Sequence, residues 1–148
     1  MRITISQPPA LNLAGLTDEV KREMLLTMQA GTRLVLNDGN QSIARGPKTG
    51  KIYNRRGVEH QASAPGEPPA TDTGGLIASG RAGAEINGDE IVGVVEWTAP
   101  HAQHLEYGTR KMAARPFANP AIERNRARIA SLLRQALATA TARFAKKR

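Results

Sequence analysis

The stretch Ala99–Asn119, APHAQHLEYGTRKMAARPFAN, decides how this chain is organised. Before it the sequence reads as helix, loop and strands; after it, as one long basic helix. Pro100 follows a strand expected to end near Trp97. His101–Tyr107 is long enough for two helical turns, and Gly108 suits their C-cap, because glycine enters the left-handed region without steric cost. Arg110–Arg115 is a basic run. Asn119 is the expected cap of a new helix with Pro120 at its first position, where a missing N–H costs nothing. Gly, Pro and Arg at this density read as a built corner rather than a linker.

Upstream, Met1–Ser6 alternates, with Ile3 and Ile5 on one side, and predicts a short edge strand. Asn12 or Thr17 is placed to cap a helix running to about Asn37. Leu16, Val20, Met24, Met28 and Val35 form its apolar stripe, with Leu13 and Leu34 beside it. Asp18, Glu19 and Glu23 fall early, where the helix dipole favours acids. Asn37-Asp38-Gly39 is the expected stop. Asn40–Asp72 has no helical period and is rich in Gly and Pro, so it predicts an extended loop or arm. Within it Lys51–Arg55 and Val58–Ser63 are two extended pieces turning at Arg56-Gly57. We expect this arm to lie against a neighbouring subunit. Ala64–Pro69 is expected to be extended, since a residue before proline is pushed out of the helical region. Asp72 or Thr73 is then a cap for a short helix, Gly74–Arg81. Ala82–Ile86 and Glu90–Trp97 predict a hairpin across Asn87-Gly88-Asp89. Apolar residues on both faces of the second strand predict that it is covered on both sides.

Downstream, Ile122, Ile129, Leu132, Leu133, Ala136, Leu137, Ala140 and Phe144 line one face of a helix expected from Pro120 to about Ala145. Arg124, Arg126, Arg128, Arg134 and Arg143 fan over the rest, and Lys146-Lys147-Arg148 suits the negative end of its dipole. Residues 110–148 hold eleven Lys/Arg against Glu123 alone, a balance of 11 − 1 = +10, whereas residues 1–109 hold ten Lys/Arg against twelve acids, or −2. The total is +8. Charge placed this way points to nucleic acid or an acidic protein surface as partner. The 148 residues suggest one domain, and five aromatics leave its core without bulk, which favours association between subunits. There is no cysteine, hence neither disulfide nor thiolate chemistry. No basic start followed by an apolar run suggests a signal peptide, and no apolar stretch approaches the ~20 residues of a membrane span.

The chain offers little for catalysis. Gly46–Lys51 departs from a phosphate loop, having three residues between its glycines and Ile52 where Ser or Thr is needed. His101 and His104 share a helix face, but Glu106 points elsewhere, and the His-Glu-x-x-His pattern of metalloproteases is missing. Ser63 with His60 lacks a nucleophile elbow and a third member. Asp89 and Glu90 sit in a turn. The sequence therefore predicts no enzyme, no metal and no cofactor. The basic helix remains, and phosphate neutralisation by its cations would give sequence-independent affinity. Base reading would need a groove-entering helix for which no motif is present.

His60–Gly75, HQASAPGEPPATDTGG, and Trp97–Pro120, WTAPHAQHLEYGTRKMAARPFANP, together resemble the small head–tail joining proteins, also called neck or tail-completion proteins, of long-tailed double-stranded DNA phages. The resemblance spans roughly Gly50–Arg126 and is most specific at Glu106–Thr109 and Ala114–Phe117. It implies a structural virion protein without catalysis, assembled as a ring, commonly a hexamer. Such a ring lies between the portal, adaptor and head-closure (stopper) stack and the tail tube, as a neck ring or a tail terminator. The implied location is the neck at the top of the tail, with the host cytoplasm during assembly and no membrane. His60, Pro65, Pro68, Tyr107, Arg110, Lys111, Arg115 and Phe117 are the expected subunit or partner contacts. Arg124, Arg128 and Arg134 are the expected contacts with channel DNA or an acidic partner. The expected fold is α+β: a small, mostly antiparallel sheet packed with long N-terminal and C-terminal helices. The alternative is a sequence-independent nucleic-acid-binding module built on the basic C-terminal helix. A small hydrolase using His60 or His101 is a remote third.

Overall fold

A computed structural model describes residues 1–9 and 11–145, without the side chains of Phe144 and Ala145. The expected burial of Phe144 and the Lys146-Lys147-Arg148 terminus lie outside the described residues. The elements are β1 (Arg2–Ser6), α1 (Asp18–Arg45), β2 (Ile52–Arg55), β3 (Val58–Gln61), α2 (Gly75–Ala78), β4 (Gly80–Asn87), β5 (Glu90–Trp97), α3 (Ala102–Tyr107) and α4 (Ala118–Ala145). This is a mixed α/β fold with small antiparallel sheets and long N- and C-terminal helices, as the sequence predicts.

The main sheet has the order β1-β5-β4, antiparallel throughout, and β1 is an edge as expected. On central β5, Ile91, Gly93, Val95 and Trp97 are buried, while Val92, Val94 and Glu96 are only half-buried. Helix α1 lies on the first face, and α4 packs against α1. The expectation that β5 is covered on both sides is therefore corrected. Its second face is shared with Arg2 and Thr4 of β1 and with Arg81 and Glu85 of β4, which are all exposed. The β4–β5 turn is also tighter than expected. Asn87 pairs with Glu90, leaving Gly88-Asp89 as a two-residue loop with positive φ at Gly88 alone. That is the pattern of a II′ turn, whose twist suits a hairpin.

Helix α1 starts where the sequence places it, with the Thr17 hydroxyl accepting from the Val20 N–H. It does not stop at Asn37-Asp38-Gly39 but runs on to Arg45. The reason is packing. A Cβ at Gly39 would lie 2.9 Å from Trp97 Cζ2, so the glycine admits the indole instead of ending the helix. One residue on, Asn40 Oδ1 accepts from Trp97 Nε1 at 3.0 Å. Asn40–Arg45 thus belongs to α1, and the extended segment shrinks to 46–72. Within it, Pro65-Gly66 forms a turn closed by Glu67 N–H donating to Ala64 O at 3.1 Å, so Ala64–Pro69 is not extended throughout. Left-handed Gly66 makes that turn possible. The short helix α2 begins after Gly74, where the Thr73 hydroxyl accepts from the Gly75 N–H at 3.4 Å, and ends before Ser79, and Arg81 already lies in β4.

Helices α1 and α4 pack antiparallel. Arg124 meets Asp38 at one end and Arg143 meets Glu23 at the other. Between them Ile129 fills the space over Gly31, where a Cβ would be 3.0 Å from Ile129 Cγ1. Val20, Met24, Met28 and Val35 of α1 and Ile129, Leu133 and Ala140 of α4 join the β5 side chains in one core. Both methionines are core packing, as read from the sequence.

Candidate interaction surface

The corner at Ala99–Asn119 is organised by a buried acid. Helix α3 ends where Gly108 N–H donates to His104 O at 2.9 Å. Gly108 takes φ 75°, and a Cβ there would lie 2.8 Å from both Ala114 N and Met112 O. The corner therefore needs glycine for conformation and for space. Thr109 and Met112 then exchange backbone hydrogen bonds, which leaves Arg110-Lys111 as an exposed basic tip. The chain returns along α3, where Arg115 N–H donates to Leu105 O at 2.7 Å.

Glu106 closes the corner. It is 2% exposed, and its carboxylate accepts from the backbone N–H groups of Phe117, Ala118 and Asn119 at 2.8, 2.9 and 2.8 Å. These are first-turn donors that no intrahelical carbonyl reaches, and a carboxylate there also faces the positive end of the helix dipole. Asn119 is thus not the cap of α4, which begins at Ala118. The cap comes from α3, 11 residues earlier in the chain. Pro120 still falls in the first turn, where its missing N–H has no intrahelical bond to lose. Phe117 is also corrected: it is fully buried, edge-on to Trp97 with ring centroids 5.0 Å apart, and makes core rather than a partner contact.

The second stretch that carries the resemblance folds onto this corner. Gly66 N–H donates to Ala114 O at 2.9 Å, joining the 62–74 loop to the segment before Arg115. Beyond that loop stands the β2–β3 hairpin. Its two-residue turn is Arg56-Gly57, both with positive φ, as type I′ requires. Asn54 Oδ1 supports the turn by accepting from Gly57 N–H at 3.0 Å. The hairpin is tied down by Arg55 on Asp72, with His60 Nε2 3.9 Å from the same carboxylate. His60 also stacks on Tyr53. At the hairpin base, the Glu67 carboxylate accepts from the Thr49 N–H and hydroxyl and the Ala64 N–H. The Thr49 hydroxyl bond leads in holding the Glu67 carboxyl below its usual range, helped by the two backbone donors. Meanwhile Ile52 on one face of the ribbon and Tyr53 and Val58 on the other are 63%, 45% and 57% exposed.

The remaining site residues divide. Tyr107, Arg110, Lys111 and Pro65 are exposed, and His60, Pro68 and Arg115 are half-buried. Ser63 is buried, and its hydroxyl forms no hydrogen bond with His60 or any other described residue. Arg124 grips Asp38 with Nε and Nη2, each at 3.0 Å, and Nη2 also reaches Ser42 Oγ. The Asp38 hydrogen bonds push the Arg124 pKa further up. Arg126 pairs with Glu123 and Arg143 with Glu23. Arg128 and Arg134 are exposed and pair with no acid among the described residues. No described helix is long and apolar enough to cross a membrane.

Sequence reasoning missed Glu106 as a cap and Asn40 as the indole's partner. Both act across elements, and only the absence of a cap-type side chain at Phe117 and Ala118 hinted at the first. Compared with family models, with curated proteins and with solved structures, the chain gives no match.

Proposed function

We propose that this chain is a ring-forming structural protein of the neck of long-tailed double-stranded DNA phages, joining the DNA-filled head to the tail. The observation that carries the reading is the β2–β3 hairpin, on which Ile52 on one face and Tyr53 and Val58 on the other are exposed. An isolated two-stranded ribbon is marginal in water, so apolar side chains on it gain stability from a second surface. We assign that surface to the uncovered face of the β1-β5-β4 sheet on a neighbouring copy, where half-buried Val92 and Val94 lie among the charged Arg2, Arg81, Glu85 and Glu96. Contact between two different faces of one chain is heterologous, and closes into a ring where the rotation permits. The two stretches that resemble the joining proteins also meet in space through Gly66 and Ala114.

We assign α4 a protein partner rather than DNA. Arg124 and Arg143 are spent on acids of α1, which leaves Arg128 and Arg134 as the exposed cations for an acidic neighbouring ring. A photoreactive benzoylphenylalanine at Val58, which is exposed and lies outside the cavity beside Tyr53, tests the reading. Irradiated phage particles should give a ladder of multimers of this chain. Adducts to DNA alone, or no adduct in joined particles, would overturn it.

A further inference from the structure

We propose that the cavity between the 62–77 loop and α3 receives a carboxylate of a partner protein, bound by Arg115. The cavity has a volume of about 280 Å³ and is lined by Ile43, Leu76, Ile77 and Leu105 together with Arg115 and Asp72. Pockets for drug-sized ligands start at about 300 Å³, so this one suits a side chain or a chain end.

The charge inside it is unbalanced. Arg115 Nε is buried with no hydrogen-bond partner, and its guanidinium pairs with no acid among the described residues. The one acid on the wall, Asp72, is engaged by Arg55 and faces His60. A buried donor without an acceptor costs free energy, and one on a cation costs more. The corner nevertheless fixes Arg115 in place, with its backbone N–H on Leu105 O at 2.7 Å and Ala114 O taken by Gly66. Guanidinium matches carboxylate in shape and charge, and apolar walls beside it favour a carboxylate carried on an apolar stem.

The identity of the partner as a protein rests on the neck reading; the carboxylate chemistry does not. Two carboxylate sources fit, an acidic side chain and a chain terminus. NMR titration of the full chain separates them with three probes: acetyl-Leu-Leu with a free carboxylate, its carboxamide, and acetyl-Leu-Glu carboxamide. The expected result is saturable shifts of the Arg115 Hε and the 71–76 amides by one or both carboxylates, with the neutral carboxamide at least tenfold weaker. Arg115→Gln should weaken carboxylate binding at least tenfold while leaving the fold intact by circular dichroism, and Arg115→Lys should restore part of it. Equal binding of carboxylate and carboxamide would overturn the inference. So would equal binding by folded Arg115→Gln, or no saturable shift with any probe. Any of these leaves hairpin cross-linking in particles unaffected, so the two proposals fail separately.

Discussion

Replacing Glu106 with alanine removes the acceptor of three backbone N–H groups and leaves the first turn of α4 uncapped. Two of those hydrogen bonds, to Phe117 and Ala118, are fully buried, and the third is partly so. An orphaned buried donor costs about 1–3 kcal/mol. Two such donors, with some relief from water reaching Asn119, bring the expected loss to roughly 3–4 kcal/mol, near the upper end for single substitutions. Phe117 should loosen from Trp97 at the same time, since the same three bonds hold it at the start of the helix. Glu106→Gln keeps one oxygen but gives up the charge, and charge-assisted bonds are about twice as strong as neutral ones. Its expected cost is about half that of alanine. Urea unfolding followed by circular dichroism measures both, and thermal melting should fall by about 10 °C for the alanine variant. A Glu106→Ala protein within about 0.5 kcal/mol of the parent, the range of ordinary surface substitutions, would refute the cap and the account of the corner with it.

Gly93→Ala should destabilise by about 1–3 kcal/mol in the same unfolding assay, because overpacking strains a filled core and the new Cβ would sit 2.6 Å from Thr32 Cγ2. Arg124→Ala should cost only about 0.5–1 kcal/mol, and less in high salt, since half of the Arg124 side chain is exposed to solvent. The Glu67 closure should respond to acid. Its folded pKa lies below the ordinary value of 4.5, so its contribution is complete above that pH and is lost as the pH falls through the lowered folded value. Limited proteolysis of the 46–67 segment should therefore speed up below about pH 4.5 in the parent and be nearly pH-independent in Glu67→Gln.

Local signals carried much of the fold. The alternation of Met1–Ser6, the stripes of α1 and of α4 up to Ala140, the Thr17 cap and both hairpins rest on neighbours in sequence, and each stands in the structure. The misreadings have one cause, which is that a partner distant in sequence decides the local outcome. Gly39 looks like a helix stop until Trp97 is seen lying against it. Asn119 looks like a cap until Glu106 takes its N–H. Phe117 looks like a contact residue because it closes a motif, yet it packs into the core. Val92 and Val94 suggested a strand covered on both faces, and a single chain covers only one of them. At the candidate surface, the exposed hairpin was legible from composition and turn chemistry. The cavity around Arg115 was not, since its walls come from α1, the loop and α3 together.

The most direct test of the proposed joining role is to disable this gene in its source genome and examine the resulting lysates by electron microscopy. The account predicts DNA-filled heads beside separate tails, or tails of abnormal length if the ring terminates the tube. Normal, infectious particles would contradict it.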